Sequence, residues 1–115
     1  MTIEQFYDKI GANYSAVLKR LASESLILTI VKKFPAERSF SDLNDAFTVH
    51  DAEKAFRVAH TLKGITLNLG FDNLYEPTYE LTEKLRTKSF DGTEELFNKI
   101  KKLYETIIGL IPEIE

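Results

Sequence analysis

Apolar residues recur at spacings of three and four positions along almost the whole chain. This period matches the turn of an α-helix, and no run alternates apolar and polar residues between turn signals as a strand would. The pattern therefore predicts an all-α protein. The chain has 115 residues, of which 43% are hydrophobic, and this is enough for one core. We expect a single domain over residues 1–115.

Capping signals divide the first third of the pattern into short helices. Thr2 and Gln5 form a capping box for a first helix that Gly11 ends, and Asn13 can cap the next one. Ser23 then interrupts the pattern ahead of a more apolar stretch. These signals predict one short helix followed by two further short helices or one bent helix.

Similar signals start two of the later helices. Ser39 with Asp42 is a box-like start, and Asp91 with Glu94 forms a capping box for the last helix. An Asp or Ser at such a position accepts a hydrogen bond from a free backbone N–H of the first turn. We therefore expect the fourth helical segment to begin near residue 39 and the last near residue 92.

The central helix has both of its ends marked. Asp51 is its expected cap, its apolar residues continue over residues 52–69, and Gly70 suits a left-handed C-terminal cap. Asp72 starts the following element, in which Pro77 predicts a kink or a short separate turn. Because short connections favour antiparallel neighbours, we expect an antiparallel four-helix bundle with one or two short extra helices at one end.

Composition excludes several classes of function. The formal net charge is −3, from 15 basic and 18 acidic residues, so the positive excess of a nucleic-acid binder is missing. With no Cys and two His, we expect no metal site, and the chain fits a reducing cytoplasm. No apolar run approaches the roughly 20 residues of a membrane span. We expect a cytoplasmic protein without nucleic-acid or membrane partners.

One group of residues that could carry chemistry lies on the outer face of the central helix. At about 100° per residue, His60 projects opposite the apolar stripe. One turn away on the same face are Phe56, Arg57, Lys63 and Gly64, with Leu67 two turns away. Gly in a helix interior costs roughly 1 kcal/mol relative to Ala, so its presence indicates room for another molecule beside the ring. The alternative is a solvated face with an incidental glycine.

The stretch AHTLKGITLNLGF, residues 59–71, resembles the signature of histidine-containing phosphotransfer (HPt) domains. The resembling elements are a His, a Lys three residues on, a Gly four residues on, and then Asn-Leu-Gly. The resemblance extends to DAEKAFRVAH, ELTEKLR and SESLILTIVKKFP, which is nearly the whole chain. It implies a phosphorelay carrier of two-component signalling, in which His60 accepts a phosphoryl group from a receiver aspartyl phosphate and passes it to another receiver.

The resemblance also implies roles and partners. Lys63 would neutralise phosphoryl charge, and Gly64 would admit the active-site loops of a response-regulator receiver domain. A sensor histidine kinase would be the other partner, while the magnesium and most of the catalytic apparatus would belong to the receiver. The chain would then be a monomeric carrier without a nucleotide site or cofactor. The family often has a carboxylate or amide near position 82, so Thr82 and Glu83 are candidates to bind the His60 ring.

We expect the receiver to dock on an apolar patch of Phe56 and Leu67, extended by Phe71. Such an interface needs a desolvated centre and a polar rim. Arg57, Lys63 and Arg86 could supply the rim opposite an acidic receiver pocket.

Two other functions stay open at this point. The chain could be the phosphoryl-accepting domain of a larger hybrid or chemotaxis-type histidine kinase, or a helical interaction module in which His60 is never phosphorylated. Because Met1 directly precedes a capped helix and the last helix runs nearly to Glu115, we expect a free-standing chain. The second histidine, His50, precedes the predicted cap Asp51 and is expected to lie at a helix end or on the surface.

Overall fold

The computed structural model describes all 115 residues, and they form seven α-helices without a β-strand. Three short helices come first: α1 (Ile3–Lys9), α2 (Tyr14–Leu21) and α3 (Glu24–Lys33). They are followed by α4 (Ser39–Thr48), α5 (Ala52–Leu69), α6 (Asp72–Leu85) and α7 (Glu94–Leu110). Single 3-10 turns, Phe34–Ala36 and Ile111–Glu113, follow α3 and α7. The all-α prediction is confirmed, and no helix is both long and apolar enough to cross a membrane.

Helices α4 to α7 form the predicted four-helix bundle. Helix α5 packs against both α4 and α6, and α6 packs against α7. Stacked aromatic rings connect α4 to α7, with centroid distances of 4.2 Å for both Phe40–Tyr104 and Phe47–Phe97. We call these four residues the aromatic seam. Because only residues 49–51 and 70–71 connect α4, α5 and α6, these neighbours run antiparallel.

The short helices α1 to α3 pack where α5 turns into α6. The Phe71 ring at this turn contacts Phe6 and Phe34, with centroid distances of 5.9 and 5.3 Å. The Tyr7 hydroxyl donates a 2.6 Å hydrogen bond to the carbonyl of Leu69, the last residue of α5. Three short helices therefore cover this end of the bundle, rather than the one or two expected from the sequence.

Local capping accounts for most of the helix boundaries. Both hydrogen bonds of the predicted box join Thr2 and Gln5. The side chains of Asn13, Ser23 and Asp51 each accept from the backbone N–H three residues on, as N-caps do. Gly70 ends α5 in the left-handed conformation, with a φ of 72°. These predictions are confirmed, and the Ser23 cap makes α2 and α3 two separate helices.

The structure corrects the predictions for α4 and α6. Helix α4 begins at Ser39, but Ser39 does not cap it with Asp42. Both the N–H and the hydroxyl of Ser39 donate to the Glu37 carboxylate. Helix α6 is continuous, with Pro77 buried inside it, so the separate turn allowed by the sequence is not formed.

The start of α7 also differs from the prediction. The helix begins at Glu94, which the capping pattern places as the third helical residue after an Asp91 cap. Asp91 instead lies in a turn, where its N–H donates to the Ser89 hydroxyl. Thr93 occupies the N-cap position, and its hydroxyl donates to the Phe90 carbonyl at 2.6 Å. The turn thus occupies the Asp91 N–H, which a capping box would have paired with the Glu94 side chain.

Candidate functional site

Helix α5 holds His60 on the outside of the bundle. Its inward side chains are completely or almost completely buried: Ala55, Ala59, Leu62, Thr66 and Leu69. His60 lies between two of these buried positions in the sequence but points away from them, and it is exposed. Helix α5 is capped at Asp51 and ended by Gly70. The orientation of α5 about its axis that buries its inward side chains therefore also exposes the imidazole.

An aromatic ring and a guanidinium stand next to the imidazole. Phe56, one turn before His60, lies with its ring at 27° to the imidazole and 6.4 Å away between centroids. Arg86 directly follows α6 and holds its guanidinium carbon 5.2 Å from the centroid of the Phe56 ring, a cation–π distance. Arg86 is therefore part of the surface around His60, together with the half-buried Phe56.

A carboxylate completes this side of the surface. Glu83 accepts two hydrogen bonds from Arg86, at 2.9 and 3.2 Å, and both side chains are exposed. The hydrogen bond with Arg86 is the main reason that the pKa of Glu83 lies below its usual value, and the charges of Lys63 and His60 add smaller contributions in the same direction. Glu83 therefore lies within electrostatic reach of the imidazole.

Thr82 does not serve the His60 ring. Its side chain is completely buried, and its hydroxyl donates a 2.7 Å hydrogen bond to the carbonyl of Thr78 within α6. A buried hydroxyl engaged in this way is unavailable to an exposed imidazole. Of the two candidates from the sequence, only Glu83 faces the site.

A second cation lies one turn after His60. The Lys63 ammonium sits 5.4 Å from the centroid of the Tyr79 ring, on α6. Tyr79 is 45% exposed, and its ring lies 6.1 Å from that of Tyr75. The sequence analysis missed both tyrosines, because a projection of α5 alone does not show which residues of α6 lie opposite its outer face.

Gly64 leaves open space beside this surface. A methyl group added at Gly64 would meet no atom of another helix and no side-chain atom of His60 within 4 Å. The residue borders a groove of about 410 Å³ between α3 and α5, which has an apolar floor and charged sides at Lys33 and Glu37. An alanine here would therefore project into the space open to a partner rather than touch the imidazole.

The expected docking patch is confined to fewer residues than the sequence indicated. Leu67 is 54% exposed, and Arg57 is also exposed. Phe71 is only 1% exposed, so its assignment to the patch is wrong. The cause is Gly70, whose left-handed conformation turns the chain after Leu69 and carries Phe71 into the core. We call the remaining surface the acceptor face: Phe56, Arg57, His60, Lys63, Leu67, Tyr79, Glu83 and Arg86.

The other histidine has different surroundings. His50 is exposed in the connection between α4 and α5, with a φ of 57°. Its ring meets Phe90 edge to face, with 5.9 Å between centroids. No group of three or more His, Cys, Asp or Glu residues in the structure could hold a metal ion.

Comparison with known protein families identifies the class to which this helical bundle belongs. A model of the Hpt domain family matches residues 36–109, which include α4, α5, α6 and nearly all of α7. Since this is more than half of the chain, the protein belongs to the Hpt domain family. Domains of this family are phosphotransfer carriers of two-component signalling, and they interact with response-regulator receivers and kinases. No curated protein and no solved structure shows significant similarity to the chain.

Proposed function

We propose that His60 is the phosphoryl acceptor of this Hpt domain. It receives a phosphoryl group from the aspartyl phosphate of one receiver domain and gives it to another. The observation that carries the proposal is the exposure of the imidazole in the middle of α5, with Lys63 and Arg86 on the same surface. A neutral imidazole is a competent nucleophile near pH 7, so no further activation is needed.

The transfer forms one bond and breaks one bond, so it needs no reactant besides His60 and the receiver. The lone pair of an unprotonated ring nitrogen attacks phosphorus, and an N–P bond forms. The bond between phosphorus and the aspartyl oxygen breaks, and its electron pair leaves with the receiver carboxylate. The proton on the second ring nitrogen stays there, so the phosphorylated ring gains a positive charge. The Glu83 carboxylate, within electrostatic reach of His60, stabilises that charge. Passing the group to a second receiver reverses these steps.

Lys63 and Gly64 support the transfer in different ways. Lys63 stabilises the negative charge of the moving phosphoryl group, as fixed positive charges do in phosphoryl transfer. Gly64 gives the receiver loops room, because no atom of another helix lies within 4 Å of a Cβ at this position. Phe56 and Leu67 of the acceptor face dock the receiver, and the cations around them face its acidic pocket.

We also propose an oligomeric state, a compartment and an upstream partner for the chain. We infer a monomeric carrier in the cytoplasm, without a nucleotide site of its own and with a sensor histidine kinase at the head of its phosphorelay. The net charge of −3 supports protein partners rather than nucleic acid.

Phosphotransfer profiling tests the assignment. The purified chain is mixed with radiolabelled, phosphorylated receiver domains and with kinases of its own organism, and label on the chain is measured after acid and after base. We expect acid-labile, base-stable label on the wild type and none on His60→Gln, which should keep the fold because the side chain is exposed. The matched control is His50→Gln, the other exposed histidine, which should be labelled normally.

Two results would contradict the proposal. Normal labelling of His60→Gln would remove His60 as the acceptor. Label taken directly from a kinase but never exchanged with any receiver would favour the kinase-domain alternative.

A further inference from the structure

Two cations lie on the surface around His60, each over an aromatic ring, but only one of them is also paired with a carboxylate. Arg86 forms a two-bond ion pair with Glu83, so much of its charge is compensated. Lys63 forms no salt bridge, and the partner of its ammonium is the ring of Tyr79, at 5.4 Å. An aromatic face attracts a cation through its quadrupole and carries no net charge. Lys63 is thereby ordered while its positive charge stays available.

The register of α6 against α5 places the contact between Lys63 and Tyr79 near the proposed phosphorylation site, His60. Lys63 follows Phe56 by seven residues on α5, and Tyr79 on α6 precedes Arg86, the residue directly after that helix, by seven residues. Both contacts therefore belong to one antiparallel register. His60 lies between them on α5. The Tyr79 ring therefore contacts the ammonium of the residue that follows His60 by three positions.

Burial in the core does not explain the position of the Tyr79 side chain. The side chain is 45% exposed, unlike Thr78 and Leu81 beside it, which are fully buried. The exposed part of the ring therefore does not serve core packing, and the ring contacts the Lys63 ammonium. A lysine side chain has four flexible carbons and occupies many rotamers when it has no partner.

We propose that Tyr79 is a positioning residue for Lys63, an inference that rests on the proposed function of His60. Its ring orders the lysine side chain beside the imidazole before the phosphoryl group arrives. The ammonium then stabilises the transferring group without first having to lose a carboxylate partner. Because an exposed cation–π contact is weak, the lysine can move the short distance to the phosphoryl group and return.

A spectroscopic measurement tests the position of the lysine without any phosphate. In the wild type, the ring current of Tyr79 should shift the ε-proton NMR signals of Lys63 upfield. Tyr79→Phe keeps the ring and should keep the shift, whereas Tyr79→Leu should lose it. Tyr75→Leu is the matched control, because Tyr75 is a neighbouring tyrosine of α6 that is not in contact with the ammonium. An unshifted Lys63 in the wild type would overturn the proposal.

A double-mutant cycle tests the consequence for transfer. At saturating receiver, Tyr79→Leu should slow phosphoryl transfer about two- to fivefold, the factor that an exposed cation–π contact corresponds to. Tyr79→Phe should transfer at the wild-type rate. In a Lys63→Met background, Tyr79→Leu should cause no further loss, because the group that it positions is gone.

The outcomes separate this inference from the function on which it rests. If Tyr79→Leu slows transfer equally with and without Lys63, or only weakens receiver affinity, Tyr79 is a docking contact and the proposal is wrong. If the wild-type chain takes up no label at all, the proposed function fails. The ring-current shift still decides in that case whether Tyr79 positions Lys63.

Discussion

The aromatic seam and the acceptor face use the same kinds of residue for different purposes. In the seam, ring stacks on ring, with 4.2 Å between the centroids of Phe47 and Phe97. On the acceptor face, each ring instead meets a charged or polar group: Phe56 meets Arg86 and His60, and Tyr79 meets Lys63. What lies opposite an aromatic side chain thus decides whether it closes a bundle or arranges polar groups on a surface.

This difference implies that stability and transfer depend on different residues. Ring-on-ring packing removes apolar area from water and contributes to the free energy of unfolding. A ring that faces a cation at the surface keeps part of its area in water and contributes less to folding, and in the proposed function it serves transfer instead. Substitutions in the two regions should therefore separate the two measurements.

The largest loss of stability is expected on the buried side of α5. Leu62→Ala should lower the free energy of unfolding by about 2 to 5 kcal/mol, since Leu62 is completely buried. Leu67→Ala, on the exposed side of the same helix, should cost less than about 1 kcal/mol. It should weaken receiver binding by roughly 1 to 2 kcal/mol. Thermal melts and receiver titrations of both variants measure this, and equal destabilisation with unchanged affinity would refute the docking role of Leu67.

Replacing one phenylalanine in each region tests directly whether the aromatic seam and the acceptor face differ in function. Phe97→Ala should cost about 3 kcal/mol of stability, the low end for this substitution because the ring is only partly buried. Phe56 is also partly buried, but it lacks the stacked rings of Phe97. Phe56→Ala should therefore cost about 1 kcal/mol less than Phe97→Ala, and it should reduce the transfer rate. Chemical denaturation together with transfer assays gives both quantities. If Phe56→Ala destabilised the chain as much as Phe97→Ala and left transfer unchanged, the two regions would not differ in function.

A smaller effect, of opposite sign, is expected at two glycines. Gly64 in α5 and Gly109 in α7 are both exposed, and neither has an atom of another helix within 4 Å of an added Cβ. Replacing either with Ala should raise stability by up to about 1 kcal/mol, because Ala favours the helix. Only Gly64→Ala should slow transfer, since its methyl group enters the space left for the receiver. Equal transfer rates for the two variants would remove Gly64 from the site.

The smallest effect is expected from a tyrosine of the seam in alkaline solution. Burial raises the pKa of Tyr104, with a smaller contribution from the Glu37 charge. The folded chain therefore keeps this proton at a pH where the unfolded chain releases it. The resulting stability is complete below about pH 10 and is lost as the pH rises further. Wild type should lose slightly more stability than Tyr104→Phe above that pH, and parallel curves would contradict burial as the cause of the raised pKa.

The features that could be predicted from the sequence are those with a local origin. Asp51 and Gly70 fix the two ends of α5 through hydrogen bonds and backbone conformation within a few residues. Once those ends are known, the 3.6-residue period places His60 opposite the buried stripe. No knowledge of the neighbouring helices is needed for either step.

The features that could not be predicted depend on chain reversals and on packing between helices. The assignment of Phe71 to the docking patch fails because it continues the helical period past Gly70, where that period no longer applies. Asp91 has the spacing of a capping residue, but Gly92 adopts a φ of 72° and the chain turns before the helix starts. The contact of Tyr79 with Lys63 follows from the register of α6 on α5, and apolar periodicity within one helix does not determine that register.

The exposure of His60 bears on how long this domain could retain its signal. The imidazole is exposed, and no atom of another helix lies within 4 Å of a Cβ at Gly64, one turn away. A phosphoryl group stored there would be lost at the rate of uncatalysed hydrolysis, or removed by the next receiver to collide with it. The abundance of receivers, and not a motion of the carrier, would then determine which of these fates comes first.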